Sequence, residues 1–285
     1  MDLDERSARI GLACAASRDA SLSSPAAQPP ATDLWEQVTA TYPTIDPAGV
    51  EAAAAGAGWR IVTPGDREWP ATPHGTSDGG DTPWALWVYG DADLWKLTCR
   101  SVAVLGTRNP SSYGAQVSAL LGRELSTAGW SVVAACALGC DEQALTAAYR
   151  MDTPPIGVYA AGRDLRAFQA RGHALGMHGL LVSDVPPDAP SRRDRFLARH
   201  DLLAFLTAGV VVVETTWRGL ALVSVAAARH RGRPVMAVPG PVTDSRSAVG
   251  HHLIRNHAAV LVESAEQITA TLVHAARTPT TGDPR

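Results

Sequence analysis

The residues best suited to chemistry lie in the turn 106–108, between an apolar run and a helical pattern. Val102–Leu105 has the β-branched, apolar character of a strand covered on both faces. Gly106 is expected at positive φ, which lets a ligand approach the backbone closely. Asn109 and the proline after it predict a helix start, and free N–H groups there attract anions. With the planar donors of Arg108, the turn indicates phosphate binding. The alternative is an ordinary strand-to-helix connection whose arginine faces water.

Three further turns place glycine, hydroxyl or charged residues after apolar runs, and we expect all four turns to meet at the carboxyl ends of parallel strands. The additional residues of interest are Gly139 and Asp141, Glu214, and Gly240 with Ser247. Close backbone approach, hydroxyl donors and fixed charge are what an oxyanion-rich ligand needs. Each residue is equally compatible with a turn or a helix cap, and Asp141 is a candidate cap. Glu214 is the one candidate general base.

Arginines form a local cluster although the chain as a whole is slightly acidic. The formal net charge is −3, from 25 Lys+Arg and 28 Asp+Glu, which argues against a large non-specific nucleic-acid footprint. The clustered residues are Arg192, Arg193, Arg195 and Arg199. His200 beside them fits either a solvated helix face or a functional position. Cys136 and Cys140, without histidines or further cysteines nearby, make a poor zinc site, and the four cysteines are read as reduced thiols.

From residue 101 onward, short apolar runs alternate regularly with helical patterns. The runs are 102–105, 131–135, 156–159, 179–182, 209–213, 235–238 and 259–262; the helical patterns lie near 111–127, 141–150, 163–175, 193–207, 218–230, 247–256 and 264–275. Such alternation predicts right-handed βαβ units. The expected fold class is α/β, with a Rossmann-like, doubly wound, mostly parallel sheet and a small helical N-terminal region.

Composition shifts divide the chain into four predicted parts. Residues 1–33 are expected to be a flexible N-terminal segment with one short helical pattern near residues 6–16, and residues 34–98 a small helical region with lead-in strands. Residues 99–275 form the Rossmann-like domain, and residues 276–285 a disordered tail. No apolar run of about 18 residues and no signal-peptide pattern is present, so a cytoplasmic location without membrane contact is expected.

An ordered series of motifs resembles the DNA-processing protein A family (DprA, also called Smf). The series comprises Val102-Ala-Val-Leu-Gly-Thr-Arg108, Ser112-Tyr-Gly114, Gly139-x-Asp141, Leu180-Leu-Val-Ser183, Phe196-Leu-Ala-Arg199, Val211-Val-Val-Glu214, Gly232-Arg-Pro-Val-Met-Ala-Val-Pro-Gly240, Ser247 and Leu253-Ile254. The resemblance covers about residues 34–275. It implies single-stranded DNA binding in a positively charged pocket, a homodimer, and loading of the RecA recombinase during natural transformation. It implies no catalytic turnover, no cofactor and no metal.

The residues implied to contact DNA or its phosphates are those of the turns and of the arginine cluster. They are Gly106, Thr107, Arg108, Gly139, Asp141, Arg192, Arg193, Arg195, Arg199, Glu214, Gly240 and Ser247. The sequence departs from the family pattern at several positions: Asp201, Leu220 and Val223 are expected to weaken phosphate contacts, and Val249 stands where the family has a glycine. The chain ends soon after Leu272, so no C-terminal winged-helix domain is expected within it.

A second function class stays open on the same scaffold. The protein is then a small-molecule nucleotide binder or a nucleotide-processing enzyme, with Glu214 as the base. Phosphoribohydrolases of the lysine-decarboxylase-like type share this scaffold, but their Pro-Gly-Gly-x-Gly-Thr signature is missing here. That absence disfavours the enzyme.

Overall fold

A nine-stranded sheet organises the chain in a computed structural model, which describes residues 4–22, 30–70, 82–170 and 178–277. The strands are β1 (Trp59–Val62), β2 (Leu86–Tyr89), β3 (Ser101–Leu105), β4 (Ser131–Ala135), β5 (Ile156–Val158), β6 (Leu180–Ser183), β7 (Val210–Val212), β8 (Val235–Ala237) and β9 (Val260–Leu261). Their spatial order is β1-β2-β6-β5-β4-β3-β7-β8-β9. From β6 to β9 every pair is parallel, whereas β2 is antiparallel to both β1 and β6.

Helices connect these strands, as the alternation predicts. They are α1 (Glu5–Ala16), α2 (Ala31–Val38), α3 (Pro47–Gly56), α4 (Leu94–Cys99), α5 (Ser112–Thr127), α6 (Cys140–Ala148), α7 (Gly162–Ala170), α8 (Arg193–Phe205), α9 (Ala221–His230), α10 (Ala248–Arg255) and α11 (Ala265–Arg277). The predicted α/β class and mostly parallel sheet are confirmed. Part of the helical pattern at 163–175 lies outside the described residues, as does the tail beyond 277.

Strand β3 is fully buried because both faces of the sheet are covered. Val102 and Val104 belong to a core cluster with the apolar residues of α5, α6 and α11. Ala103 and Leu105 point the other way, into a cluster with α8, α9 and α10. Successive residues of a strand face opposite sides, so a continuous apolar run is what a doubly covered strand requires.

Part of the segment predicted to be flexible forms a packed helix. Helix α1 matches the short helical pattern, and Ile10 and Leu12 on it are fully buried. Arg6 joins this helix to its neighbours, because its guanidinium donates to Glu51 at 2.7 Å and to the carbonyl of Ile61 at 2.8 Å. Residues 1–3 and 23–29 lie outside the described residues, and the division of the chain into domains stays a prediction. Within the described ranges, no helix is both long and apolar enough to cross a membrane.

Three helices end in the same capping motif, but one of them uses an unfavourable residue. After α10, the amide of His257 donates to the carbonyl of Ile254 and the amide of Ala258 to that of Leu253, which is the Schellman pattern. The left-handed residue of this motif is Gly129 after α5 and Gly232 after α9, whereas His257 adopts φ 54° after α10. A side chain with a Cβ is strained in this conformation.

We therefore expect His257→Gly to raise the free energy of unfolding by roughly 0.5–1 kcal/mol. The exposed His230, the last residue of α9, provides the matched control. There the same substitution places glycine at a helical position and lowers stability by a similar amount. Urea unfolding of both variants measures the effect, and a shift of equal sign in the two contradicts the argument.

Candidate anion-binding site

The four turns of interest follow β4, β3, β7 and β8, which are consecutive neighbours in the sheet. From β3 the chain proceeds through β4 and β5 to β6, and then returns to place β7 on the other side of β3. This reversal opens a crevice at the carboxyl ends of β3 and β7, where open α/β sheets bind ligands. The expected convergence of the turns is therefore a consequence of the strand order.

A cleft of about 260 Å³ lies at this crevice, with three arginines around it. Arg108 follows β3, Arg218 follows β7, and Arg199 reaches the cleft from α8. Arg108 and Arg218 are exposed, whereas Arg199 is buried. The other lining residues are Gly106, Thr107, Ala135, Ala137, Asp141, His200, Gly219 and Leu220. Three guanidinium groups against one carboxyl group give this cleft a positive balance, which favours an anion.

Asp141 organises the cleft from below rather than capping its own helix. It lies in the first turn of α6, after the N-cap Gly139. One carboxyl oxygen accepts from the amide of Gly106 and the other from the amide of Ala135, both at 3.1 Å. Burial raises the pKa of Asp141 to about 6, while these amides and the nearby charge of Arg199 act in the opposite direction. The carboxyl group thus ties the ends of β3 and β4 together under the arginines.

A carboxylate of the protein occupies the predicted anion site at the N-terminus of α5. The side chain of Glu214 is 1% exposed, and it accepts from the amide of Ser111 at 2.9 Å and from its hydroxyl at 2.5 Å. A Cβ on Gly114 would lie 2.2 Å from this carboxylate, which explains the glycine. Both donors of Ser111 at this helix start are therefore taken by the protein itself, and phosphate binding at the preceding turn stays a prediction. The helix N-terminus does attract an anion, and the anion is Glu214.

The start of the helix also differs from the prediction. Its N-cap is Ser111, whose hydroxyl accepts from the amide of Gly114 at 3.0 Å, rather than Asn109. Ser111 serves both as the cap and as the partner of Glu214. Asn109, two residues earlier, does not make these contacts.

Glycine is required at position 106 because there is no room for a side chain, and not because the backbone adopts a positive φ. Gly106 is absent from the described residues with positive φ, so that expectation is wrong. A Cβ there would lie 2.5 Å from the sulfur of Cys140 and 2.9 Å from the carbonyl oxygen of Glu214. Its amide already donates to Asp141, and the amide of Thr107 donates to the Glu214 carbonyl at 2.7 Å. The amides of Gly106 and Thr107 are thus used within the protein, and the guanidinium of Arg108 is the charged donor of this turn.

The predicted arginine cluster is divided among separate environments. Arg195 is 3% exposed and forms an ion pair with Asp184, and Arg192 donates to Asp194 at 3.1 Å. Arg193 is exposed at the start of α8 and does not line the cleft. Only Arg199 of the four reaches the cleft. Arg195 and Arg199 share one face of α8, but the carboxylate of Asp184 pairs with Arg195, while Arg192 precedes the helix and Arg193 lies on its exposed side.

The fourth turn supports its neighbours from outside the cleft. The carbonyl of Arg246 accepts from the amide of Thr215, at 3.0 Å, and so joins this turn to the one after β7. Gly240 is confined because a Cβ there would lie 2.3 Å from the hydroxyl of Ser247. The amide of Gly240 is directed at Nε2 of His251 at 3.3 Å. Gly240 and Ser247 therefore lie beside the cleft without lining it.

His200 is a buried neutral residue in the wall of the cleft, not part of a solvated helix face. The hydroxyl of Ser224 donates to the carbonyl of His200 at 3.1 Å. Since that uses the hydroxyl proton, Nδ1 of His200 donates to the Ser224 oxygen at 2.8 Å. Burial lowers the pKa of His200 to about 3, assisted by the positive charges of Arg199 and Arg108.

Comparison with known proteins agrees with this architecture. The family model for DNA recombination-mediator protein A matches residues 60–273, most of the chain. The chain belongs to this family. A DprA protein of Mycobacterium tuberculosis is 38% identical over 228 residues, covering 76% of this chain and 58% of that protein. The DprA of Bacillus subtilis is 32% identical over 192 residues, covering 66% and 64% respectively. The chain thus spans less than two thirds of the length of these curated relatives.

Solved structures of the DprA family share the fold. The DprA of Streptococcus pneumoniae superimposes with a TM-score of 0.68 at 27% identity, covering 89% of this chain and 85% of that one. The DprA of Helicobacter pylori, described in terms of its single-stranded DNA binding mode, has a TM-score of 0.63 at 22% identity. It covers 76% of this chain and 96% of that one. The predicted Rossmann-like fold is confirmed.

Of Asp201, Leu220 and Val249, which depart from the DprA pattern, only Leu220 lines the cleft. Asp201 pairs with Arg231 at 2.8 Å and lies on another part of α8. Val249 is fully buried in the core. Leu220 does line the cleft and contributes apolar surface there. The acidic residue is thus compensated by its own partner instead of opposing a ligand.

Arg218 is the cleft residue that sequence reasoning did not single out. The motif at the turn after β7 centres on Glu214, and Arg218 follows it four residues later. The sequence does carry a signal here, because Trp217 and Arg218 are adjacent in the turn after β7. A large aromatic residue beside an arginine at a strand end is typical of a ligand surface.

Proposed function

We propose that this DprA family member binds single-stranded DNA through the arginine cleft and does so without catalytic turnover. The observation that carries the proposal is the meeting of Arg108, Arg199 and Arg218 around one cleft at the reversal point of the sheet. Guanidinium groups bind phosphate oxygens through paired, charge-assisted hydrogen bonds. The Helicobacter relative, whose structure is described in terms of its single-stranded DNA binding mode, supports the same ligand class here.

The size of the cleft favours a chain ligand over a small molecule. Its volume of about 260 Å³ is below the roughly 300–1,000 Å³ of pockets that enclose a drug-sized ligand. A phosphate with its adjoining sugar fits such a space better than a complete nucleotide. A DNA strand would therefore thread its backbone along the arginines and leave its bases outside.

The alternative of a nucleotide-processing enzyme finds little support. A general base needs an accessible oxygen within reach of the proton that it abstracts. Both oxygens of Glu214 accept hydrogen bonds from Ser111, and the side chain is buried. Its role in this fold is to fix the start of α5.

The family resemblance further supports a homodimer that delivers DNA to the RecA recombinase in the cytoplasm during natural transformation. Sedimentation velocity tests the dimer, and assembly of RecA filaments on DNA in the presence of this protein tests the delivery. A monomer at micromolar concentration, or unchanged filament assembly, contradicts the respective proposal.

Binding of a fluorescent oligo-dT across a salt series tests the central proposal. If three arginines each neutralise one phosphate, log K falls against log salt with a slope of about −2, since each contact contributes about −0.7 for single strands. A folded sample that fails to bind oligo-dT at low salt overturns the proposal. Hydrolysis of nucleoside monophosphates, measured on the same sample, tests the absence of turnover.

Asp141 should make DNA binding stronger at lower pH. A phosphate near this carboxyl group favours its protonated form, so the complex takes up a proton and affinity rises as pH falls through about 6. We expect roughly a three- to tenfold gain between pH 7.5 and 5.5, since a tenfold change corresponds to a pKa shift of one unit. His200 does not contribute, because its pKa is about 3.

The matched variant for this prediction is Asp141→Asn, which keeps the size of the side chain and cannot titrate. Its affinity should vary less with pH than that of the wild type. Equal pH dependence in the two proteins assigns the effect to other groups. In the wild type without DNA, the raised pKa means that ionisation of Asp141 lowers the free energy of unfolding as pH rises from about 4 to about 6.

A further inference from the structure

Trp217 is an exposed aromatic residue in the same turn as Arg218, which lines the arginine cleft. It lies in the turn after β7, directly before Arg218, and 59% of its surface is exposed. Tryptophan has a large apolar surface that proteins usually bury. Arg218 beside it lines the cleft, so this apolar surface adjoins a charged one.

The ring of Trp217 is held in place although it is exposed. It makes an edge contact with the ring of His252 on α10, with centroids 4.9 Å apart and planes at 73°. The turn that carries it is fixed at two points. The amide of Gly219 donates to the carbonyl of Thr216 at 2.8 Å, and the amide of Thr215 donates to that of Arg246 at 3.0 Å. A positioned ring with an open surface loses little conformational entropy on binding a flat partner.

We propose that Trp217 stacks on an unpaired base of the strand whose phosphates contact Arg108 and Arg218, an inference that rests on the proposed function. Sequence-independent binders of single strands combine a positive groove for the backbone with aromatic side chains for the bases. The cleft supplies the first part through Arg108 and Arg218. Trp217, directly before Arg218 in the chain, supplies the aromatic side chain for the bases.

Stacking on Trp217 makes the site selective for unpaired DNA. In a duplex the faces of the bases are already stacked on each other, so the ring of Trp217 has no face to contact. Stacking also tolerates any sequence, because every base has a π-face. Trp217 therefore contributes affinity and strand selectivity, whereas the arginines contribute charge.

The test compares Trp217→Ala and Trp217→Phe with Trp95→Ala in oligo-dT binding. Trp95 is 44% exposed and lies on α4. This helix leads into the amino end of β3, whereas the cleft lies at the carboxyl ends of the strands. We expect Trp217→Ala to weaken binding roughly 5- to 150-fold, the range that alanine substitution of a stacking residue produces. Trp217→Phe keeps most of the affinity, and Trp95→Ala leaves it unchanged. The salt slope of Trp217→Ala stays that of the wild type, because stacking releases no counterions.

An oligonucleotide of the same length with abasic sites supplies the second arm. The wild type should bind it more weakly than oligo-dT, whereas Trp217→Ala should discriminate little between the two. If the wild type binds oligo-dT and Trp217→Ala binds equally well, stacking is overturned while the proposed function stands. If the folded wild type binds neither oligonucleotide, the proposed function itself fails. Loss of affinity with unchanged preference for bases assigns Trp217 to a structural role and overturns the inference.

Discussion

Replacing Arg108 with alanine is expected to weaken oligo-dT binding about 10- to 150-fold, through loss of a charge-assisted phosphate contact of about 1.5–3 kcal/mol. Arg108 is exposed on the rim of the cleft, so its removal leaves the core intact. The slope of log K against log salt should also become less steep by about 0.7, the contribution of one phosphate on a single strand. Fluorescence anisotropy over a salt series measures both quantities.

Arg193→Ala is the matched control for this experiment. Arg193 is an exposed arginine of α8 that does not line the cleft. The substitution therefore removes the same charge from a place outside the cleft. Its loss should change affinity by less than about threefold at physiological salt, because exposed charges further apart than a Debye length are screened. Equal losses in the two variants would show that net charge, and not the cleft, governs binding.

Gly139→Ala is expected to be the most disruptive single-methyl change near the cleft. Gly139 has φ 97°, and a Cβ there would lie 2.2 Å from the carbonyl oxygen of Thr107 and 2.6 Å from Cα of Arg108. These are backbone atoms that cannot rotate away. Strain and overpacking together should lower the free energy of unfolding by roughly 3 kcal/mol or more. The turn that carries Arg108 must shift, so oligo-dT affinity falls as well.

Gly129→Ala separates the two causes. Gly129 also has positive φ, at 78°, but a Cβ there meets only a guanidinium nitrogen of Arg100, at 3.8 Å. This variant should lose only about 1–2 kcal/mol, the cost of the left-handed conformation, and keep full DNA affinity. Urea unfolding and anisotropy distinguish them, and similar losses in both variants refute close packing of Gly139 against the Arg108 turn.

Local patterns in the chain were sufficient to predict the sheet. The apolar runs ending at Leu105, Ala135 and Val213 are β-branched and short, and each precedes a helical pattern. Period and handedness then leave few topologies for such alternation. The convergence of the turns followed from the same argument, because the carboxyl ends of parallel strands share one edge.

The partners of the individual polar groups followed only from the tertiary structure. Glu214 and Ser111 are 103 residues apart in the chain, and their contact supplies the start of α5 with an anion from the protein itself. A helix start looks the same in sequence whether the protein or a ligand supplies its anion. The distinction depends on which side chain folds back onto it.

The arginines show the same limit. Arg195 and Arg199 are four residues apart on α8, yet one pairs with Asp184 and the other reaches the cleft. The spacing of four residues predicts that the two side chains lie near each other on the helix. The packing of α8 against the sheet determines which groups each side chain contacts. Local pattern thus determined the elements and their order, because backbone hydrogen bonding and hydrophobic periodicity are local. Charge pairing acts between distant segments, so it was decided only when the fold brought those segments together.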